Sequence, residues 1–276
     1  IFLKMKINRL LYRTLIIITL CFSKEAEITE SWAALLNSNF EQVHATHHIN
    51  NLIRQNAIPS SKMEKDLLDE IGIKVLDEKL LVMMPEQMNE IYQTSHFNIH
   101  YDTDGSSGSV SSNDVNNNSV PDYVENMGLI FENVYYFFKD SMGYDITFLN
   151  SQNVGNNKYD IFIDNLPTNY FAITYTTSFI NQASTSCGSY IKMRNNYNGA
   201  AFQNITELEN IKITAAHEFF HAIQFSYNCY ERFWLMEATA VWSEDEIYNE
   251  INDHYRYMPS WFQNSAKPID DESSHM

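Results

Sequence analysis

The stretch from Thr206 to Tyr227 constrains this chain more than any other. Thr206 followed by Glu209 is a capping-box signature, which predicts a helix beginning near Glu207 and running to about Tyr227. Within it Ile211, Ile213, Ala215, Ala216, Phe219, Phe220, Ala222, Ile223 and Phe225 leave few polar faces. A helix that is apolar nearly all round must be enclosed by other elements. The same helix nevertheless carries His217, Glu218 and His221, and ionisable groups rarely sit in such surroundings without partners.

Residues four apart share one face of a helix, so His217 and His221 of the run HEFFH can aim both imidazoles at a single zinc ion. Glu218, beside them, can reach a water there without ligating the metal and act as its base. The competing reading makes the two histidines hydrogen-bonded core residues and pairs Glu218 with Lys212 or Arg232. A catalytic zinc also requires a third protein ligand and an open position. Glu237 is the single charge in the apolar run Trp234 to Trp242, and a carboxylate there is costly unless a cation meets it. Glu244 competes for this role, but it opens the acidic stretch Glu244-Asp245-Glu246 and reads more easily as a supporting or solvated group.

HEFFH, then fifteen residues, then Glu237 within WLMEATAVW resemble the gluzincin peptidases, whose third ligand is a Glu on a following helix. AAHEFFHAIQ together with WLMEATAVWSEDEIY is similar to a group of secreted bacterial metallopeptidases, over residues 95 to 265. The resemblance implies zinc on His217, His221 and Glu237, Glu218 as catalytic base, and a protein or peptide substrate. It also implies an α+β, zincin-like domain in which a mixed sheet supports the HExxH helix and a following ligand helix. Gluzincins tend to place a His or Tyr donor downstream of the third ligand, where Tyr248, His254, Tyr255 and Tyr257 all remain open.

Upstream, Lys4, Lys6, Arg9 and Arg13 precede the apolar run Leu15 to Phe22, which reads as a signal peptide over residues 1–23. A membrane anchor is disfavoured because that run falls short of the roughly 20 apolar residues a bilayer needs. Membrane contact is thus expected only in transit, and the mature chain outside the cell. Cleavage after Ser23 removes Cys21 and leaves the pair Cys187 and Cys229, either as a disulfide around the HEFFH helix or as two buried thiols. A disulfide closing a loop of that size stabilises a fold by roughly 3–4 kcal/mol in the chain-entropy model.

Residues 24–93 read as a helical N-terminal extension or propeptide, with Trp32, Leu35, Leu36 and Phe40 on one face. Its triplet His44, His47 and His48 has no acidic residue among the three and reads as a solvated helix face. The catalytic domain is expected over 94–276, truncated at its C-terminus, with alternation at His96 to Tyr101 marking its first strand. A helix over about 122–142, with a stripe of Val124, Leu129, Ile130, Val134 and Phe137, precedes strands at 159–164, 170–177 and 189–193. A second helix is expected from about Trp234 to Ile251. The strand at 189–193 is a candidate edge for an added peptide strand.

Asp114, Asn116, Asn118, Val120, Asp122 and Glu125 occupy positions 1, 3, 5, 7, 9 and 12 of an EF-hand-type loop, which predicts calcium. The departure is Ser119, which stands where such loops want Gly and needs a positive φ. A helix-capping surface loop is the alternative. A net charge of −17 repels phosphate backbones, so nucleic acid is excluded as a partner. The expectation is an exported zinc endopeptidase. Its rivals are a metal-stabilised surface or adhesion module and a zinc hydrolase acting on non-peptide substrates.

Overall fold

The computed structural model of the protein describes residues 24–36, 45–83, 88–106, 108–146, 157–167, 169–179, 185–256 and 258–263, with a few isolated positions besides. The expected leader, His44, Phe40 and Tyr257 lie outside the described residues. Among the described residues no helix is long and apolar enough to cross a membrane.

Three helices open the described chain: α1 (residues 24–35), α2 (Ala45–Gln55) and α3 (Lys62–Ile71). An antiparallel hairpin of β1 (Ile73–Leu76) and β2 (Lys79–Val82) follows, then β3 (Glu90–Gln93) and β4 (Phe97–Tyr101). After α4 (Asp122–Tyr136) come β5 (Tyr159–Asp164), β6 (Ala172–Phe179) and β7 (Cys187–Arg194). The chain closes with α5 (Glu207–Tyr227), α6 (Phe233–Ile247) and the short α7 (Met258–Gln263).

Strands β3 to β7 form one sheet in the order β3-β4-β5-β7-β6. The central three run parallel, and both edges, β3 and β6, are antiparallel to their neighbours. Parallel strands need cover on both faces, and alternation along each strand supplies two apolar faces. Phe97, Ile99, Ile161, Ile163, Ile191 and Met193 point into a core shared with α4 and α5. Phe162, Ile173, Tyr175 and Tyr190 point the other way, into a core completed by Trp32, Leu35, Ile49, Leu52, Leu68 and Ile71 from the N-terminal helices. The α+β class and mixed sheet agree with the sequence reading.

Several expectations need correcting. Residues 24–93 are not all helix: they hold the β1–β2 hairpin, and β3 is an edge strand of the main sheet, so a boundary near residue 94 cuts through that sheet. His47 and His48 do not lie on a solvated face, since Thr46, His48, Asn50 and Asn51 of α2 are all buried. Strand β7 is internal, hydrogen-bonded to β5 on one side and β6 on the other, so it offers no edge to a peptide. On α4 the buried stripe is Val124, Met127, Ile130, Phe131 and Val134, whereas Leu129 is 61% exposed. It lies between the turns that face the sheet, a rotation that short apolar runs do not specify. Helix α6 ends at Ile247, four residues short of the expected end.

Cys187, at the start of β7, and Cys229, just past α5, are joined in a disulfide with a Cα–Cα distance of 5.8 Å. It fixes the C-terminal end of α5 to the sheet and packs with Phe225 and Met236.

Candidate metal centre

Helix α5 begins where its cap predicts: Thr206 Oγ1 accepts from the Glu209 amide at 3.2 Å, and the Glu209 carboxylate accepts from the Thr206 amide at 2.8 Å. That register turns His217, His221 and Gln224 toward α6. Small residues let the two helices approach closely, with Ala216 packed at the crossing and Ala240 and Ser243 fully buried opposite. Glu237 and Glu244, seven positions apart on α6, therefore face the histidines together.

The Nε2 atoms of His217 and His221 lie 3.0 Å apart. Glu237 faces both, with Oε2 3.3 Å from His217 Nε2 and Oε1 3.2 Å from His221 Nε2. Among the described residues these three form a group of potential metal ligands whose atoms lie within 4.8 Å of one another. Ligands at 2.0–2.1 Å from a tetrahedral zinc are separated from each other by about 3.3 Å, so the spacings suit that ion. The outer nitrogens are engaged elsewhere. His217 Nδ1 meets Glu244 Oε1 at 2.6 Å, and His221 Nδ1 meets Gln224 Oε1 at 2.8 Å. Gln224 is held in turn, its amide donating to Met236 O at 3.0 Å and Thr239 Oγ1 at 2.8 Å. Such partners fix the tautomer that leaves Nε2 as the inward-facing ligand atom.

Burial works against a charged His217, but Glu237 and Glu244 on its two sides win and hold its pKa well above the ordinary imidazole value. Burial likewise works against an ionised Glu237, and the two histidines overcome it, so that carboxyl is held well below the usual range. Glu244 is pushed up by burial, which His217 only partly offsets. Glu237 and Glu244 so close to His217 favour positive charge at this point, which a proton on the ring or a divalent cation between the ligand atoms can supply.

Glu218 stands outside this group. Its Oε2 accepts from Thr46 Oγ1 at 2.7 Å and Thr174 Oγ1 at 2.6 Å, from α2 and β6. The carboxylate is thus held by α2 and β6 and is not one of the three grouped ligands. Of the downstream donors, Tyr248 is buried in the main core, His254 faces Asp245 at 3.9 Å, and Tyr255 is exposed.

No family model matches this chain, and no curated protein or solved structure matches it either. The site stands on its own geometry.

The residues expected to form a calcium loop also gather. Asn116 Nδ2 and Asn118 Nδ2 donate to the two Glu125 carboxylate oxygens at 2.9 and 2.6 Å. Asp114 accepts from the Asn118 and Ser119 amides, Asn118 Oδ1 from the Val120 amide, and Asp122 from the Val115 amide. Ser119 has φ of 71° and Asn117 φ of 58°, the left-handed backbone the loop demands at Ser119.

Three contributors escaped sequence reasoning: Gln224, Thr46 and Thr174. Gln224 sits three positions after His221 on the same helical face, a spacing that was open to inspection. Glu244, read from the sequence as a supporting or solvated group, is a supporting one, on the far side of His217 from Glu237. Thr46 and Thr174 come from distant elements, and no local pattern marks them.

Proposed function

We propose that the protein is a zinc-dependent hydrolase of zincin type, acting on peptide bonds, with His217, His221 and Glu237 as ligands and Glu218 as general base. The observation that carries this reading is the convergence of two histidine Nε2 atoms and one carboxylate at 3.0–3.3 Å, each imidazole anchored through Nδ1. Three protein ligands with no fourth among the described residues match catalytic rather than structural zinc sites. Zinc, once bound, supplies a Lewis acid that polarises a carbonyl and makes water a nucleophile near neutral pH.

The residues of the chain do the rest. Both threonine hydroxyls meet Glu218 at Oε2, so Oε1 is the oxygen available to take a proton and return it to a leaving amine. Glu244 and Gln224 keep the imidazoles from rotating. Calcium at Asp114, Asn116, Asn118, Val120, Asp122 and Glu125 would brace the start of α4, with the Asn amides turning their oxygens inward. The disulfide fits a protein that works in an oxidising compartment, outside the cell.

The test uses the full chain, measuring bound zinc and casein hydrolysis for wild type, Glu218→Gln and Glu237→Ala. The expected results are one zinc per wild-type chain, zinc without hydrolysis in Glu218→Gln, and loss of both in Glu237→Ala. Unchanged hydrolysis in Glu218→Gln would sink the mechanism.

A further inference from the structure

Thr46 and Glu218 are 172 positions apart in sequence and 2.7 Å apart in the fold. The contact exists because α2 reaches round the open edge of the sheet. β6 is that edge, and its outward backbone groups are met by side chains of α2 rather than by another strand. Thr174 N donates to Thr46 Oγ1 at 2.8 Å, Asn50 Nδ2 donates to Thr174 O at 2.8 Å, and Thr176 N donates to Asn50 Oδ1 at 3.1 Å. The Thr46 hydroxyl accepts from the strand and donates to Glu218, joining the two. Thr174 Oγ1 donates to the same carboxylate oxygen from the other element at 2.6 Å.

Two roles fit a helix in this position: a removable cover, or a standing part of the site. The packing decides between them. Ala45, Ile49 and Leu52 of α2 are fully buried, in one core with Leu68 and Ile71 of α3 and with Phe162, Tyr175 and Tyr190 of the sheet. Burial of Ile49 and Leu52 stabilises the fold, and removing α2 would also bare the aromatic face of the sheet and the edge of β6. A cover meant to leave would not be built into the second core in this way.

We infer that Thr46, delivered by α2, is a positioning residue for Glu218, and that the N-terminal region is a permanent part of the catalytic unit. This rests on the hydrolase reading above. It also follows that a peptide substrate does not extend the sheet at Thr174–Thr176, since those groups already have partners.

The test uses the full zinc-loaded chain and casein as probe. Thr46→Val and Thr174→Val each remove one hydroxyl at nearly constant volume. Each is expected to lower kcat by roughly 10–100-fold, as loss of orientation does. KM should stay within about twofold and bound zinc unchanged, the pattern of an interaction that matters chiefly in the transition state. Thr46→Ser, which keeps the hydroxyl, should restore most of the rate. Independently of activity, thermal midpoints of Thr46→Val, Glu218→Gln and the double variant should be non-additive, as for groups in contact. Full activity in Thr46→Val overturns the positioning role, a rise in activity makes α2 a cover after all, and additive midpoints overturn the contact. If Glu218→Gln is as active as wild type, the hydrolase reading fails; if Glu218→Gln is inactive while Thr46→Val is fully active, this inference alone fails.

Discussion

Glu244 Oε1 lies 2.6 Å from His217 Nδ1, on the opposite side of the ring from Glu237. One imidazole is thereby clamped by two carboxylates of the same helix, two turns apart. Replacing Glu244 by Gln keeps the shape and removes the charge. Partners of this kind are worth roughly 10–100-fold in metal affinity. Zinc affinity of Glu244→Gln, read by competition with a chromogenic chelator, is expected to fall within that range while the far-UV spectrum stays unchanged. Equal affinity in the two proteins would remove Glu244 from the account.

The disulfide between Cys187 and Cys229 spans 42 positions and encloses all of α5. For a loop of that length the chain-entropy model gives a stabilisation of about 4 kcal/mol. The Cys187→Ser/Cys229→Ser double variant should therefore unfold at a clearly lower guanidinium concentration than wild type. Reductant should shift the wild type to the same midpoint and leave the double variant where it was.

Glu132 holds the start of β4 onto α4: Oε1 accepts from the His96 amide and Oε2 meets its Nδ1, each at 2.7 Å. Burial opposes its ionisation, but hydrogen bonds from Thr94 and His96 outweigh that, so its pKa is lowered from 4.5. A carboxyl depressed on folding contributes stability above its unfolded pKa and loses it as pH falls through the folded value. The stability difference between wild type and Glu132→Gln should be full at neutral pH and shrink on acidification below about 4.5. Denaturant midpoints at several pH values check this, and a gap that widens with acid contradicts it.

Gly128 sits in the middle of α4, where alanine would ordinarily be better by about 1 kcal/mol. A Cβ there would stand 2.8 Å from Tyr92 Cε1 and 2.9 Å from Thr94 Cγ2. Overpacking costs roughly 1–3 kcal/mol, so Gly128→Ala should be destabilising, with the edge strand β3 displaced. A raised melting temperature would show that Tyr92 moves aside freely.

Local signals placed α5 to the residue, because a reciprocal cap and an unbroken apolar run act within one helix. Glu237 stood out for a similar reason, as a lone charge among apolar neighbours. Glu244 reads from the sequence as either supporting or solvated, and its position seven residues after Glu237 on the helix decides for the first by turning it inward. The sheet edge that receives α2, and with it the threonine pair on Glu218, depends on strand order. Nothing in the sequence near residue 46 encodes which strand lies at the edge. The same holds for β3, which is short, half exposed and recognisable only through its pairing with β4.

The contact between residues 46 and 218 carries a kinetic consequence. Helices α5 and α6 are neighbours in the chain and can bring the histidines and Glu237 together early, while the Thr46 hydroxyl arrives only after a loop of 172 positions has closed. Contacts so distant form late and slow the search for the native state. If the proposed hydrolase reading holds, a newly made chain would thus pass through a stage in which the ligand group is assembled before Glu218 is aligned, with competence arriving last.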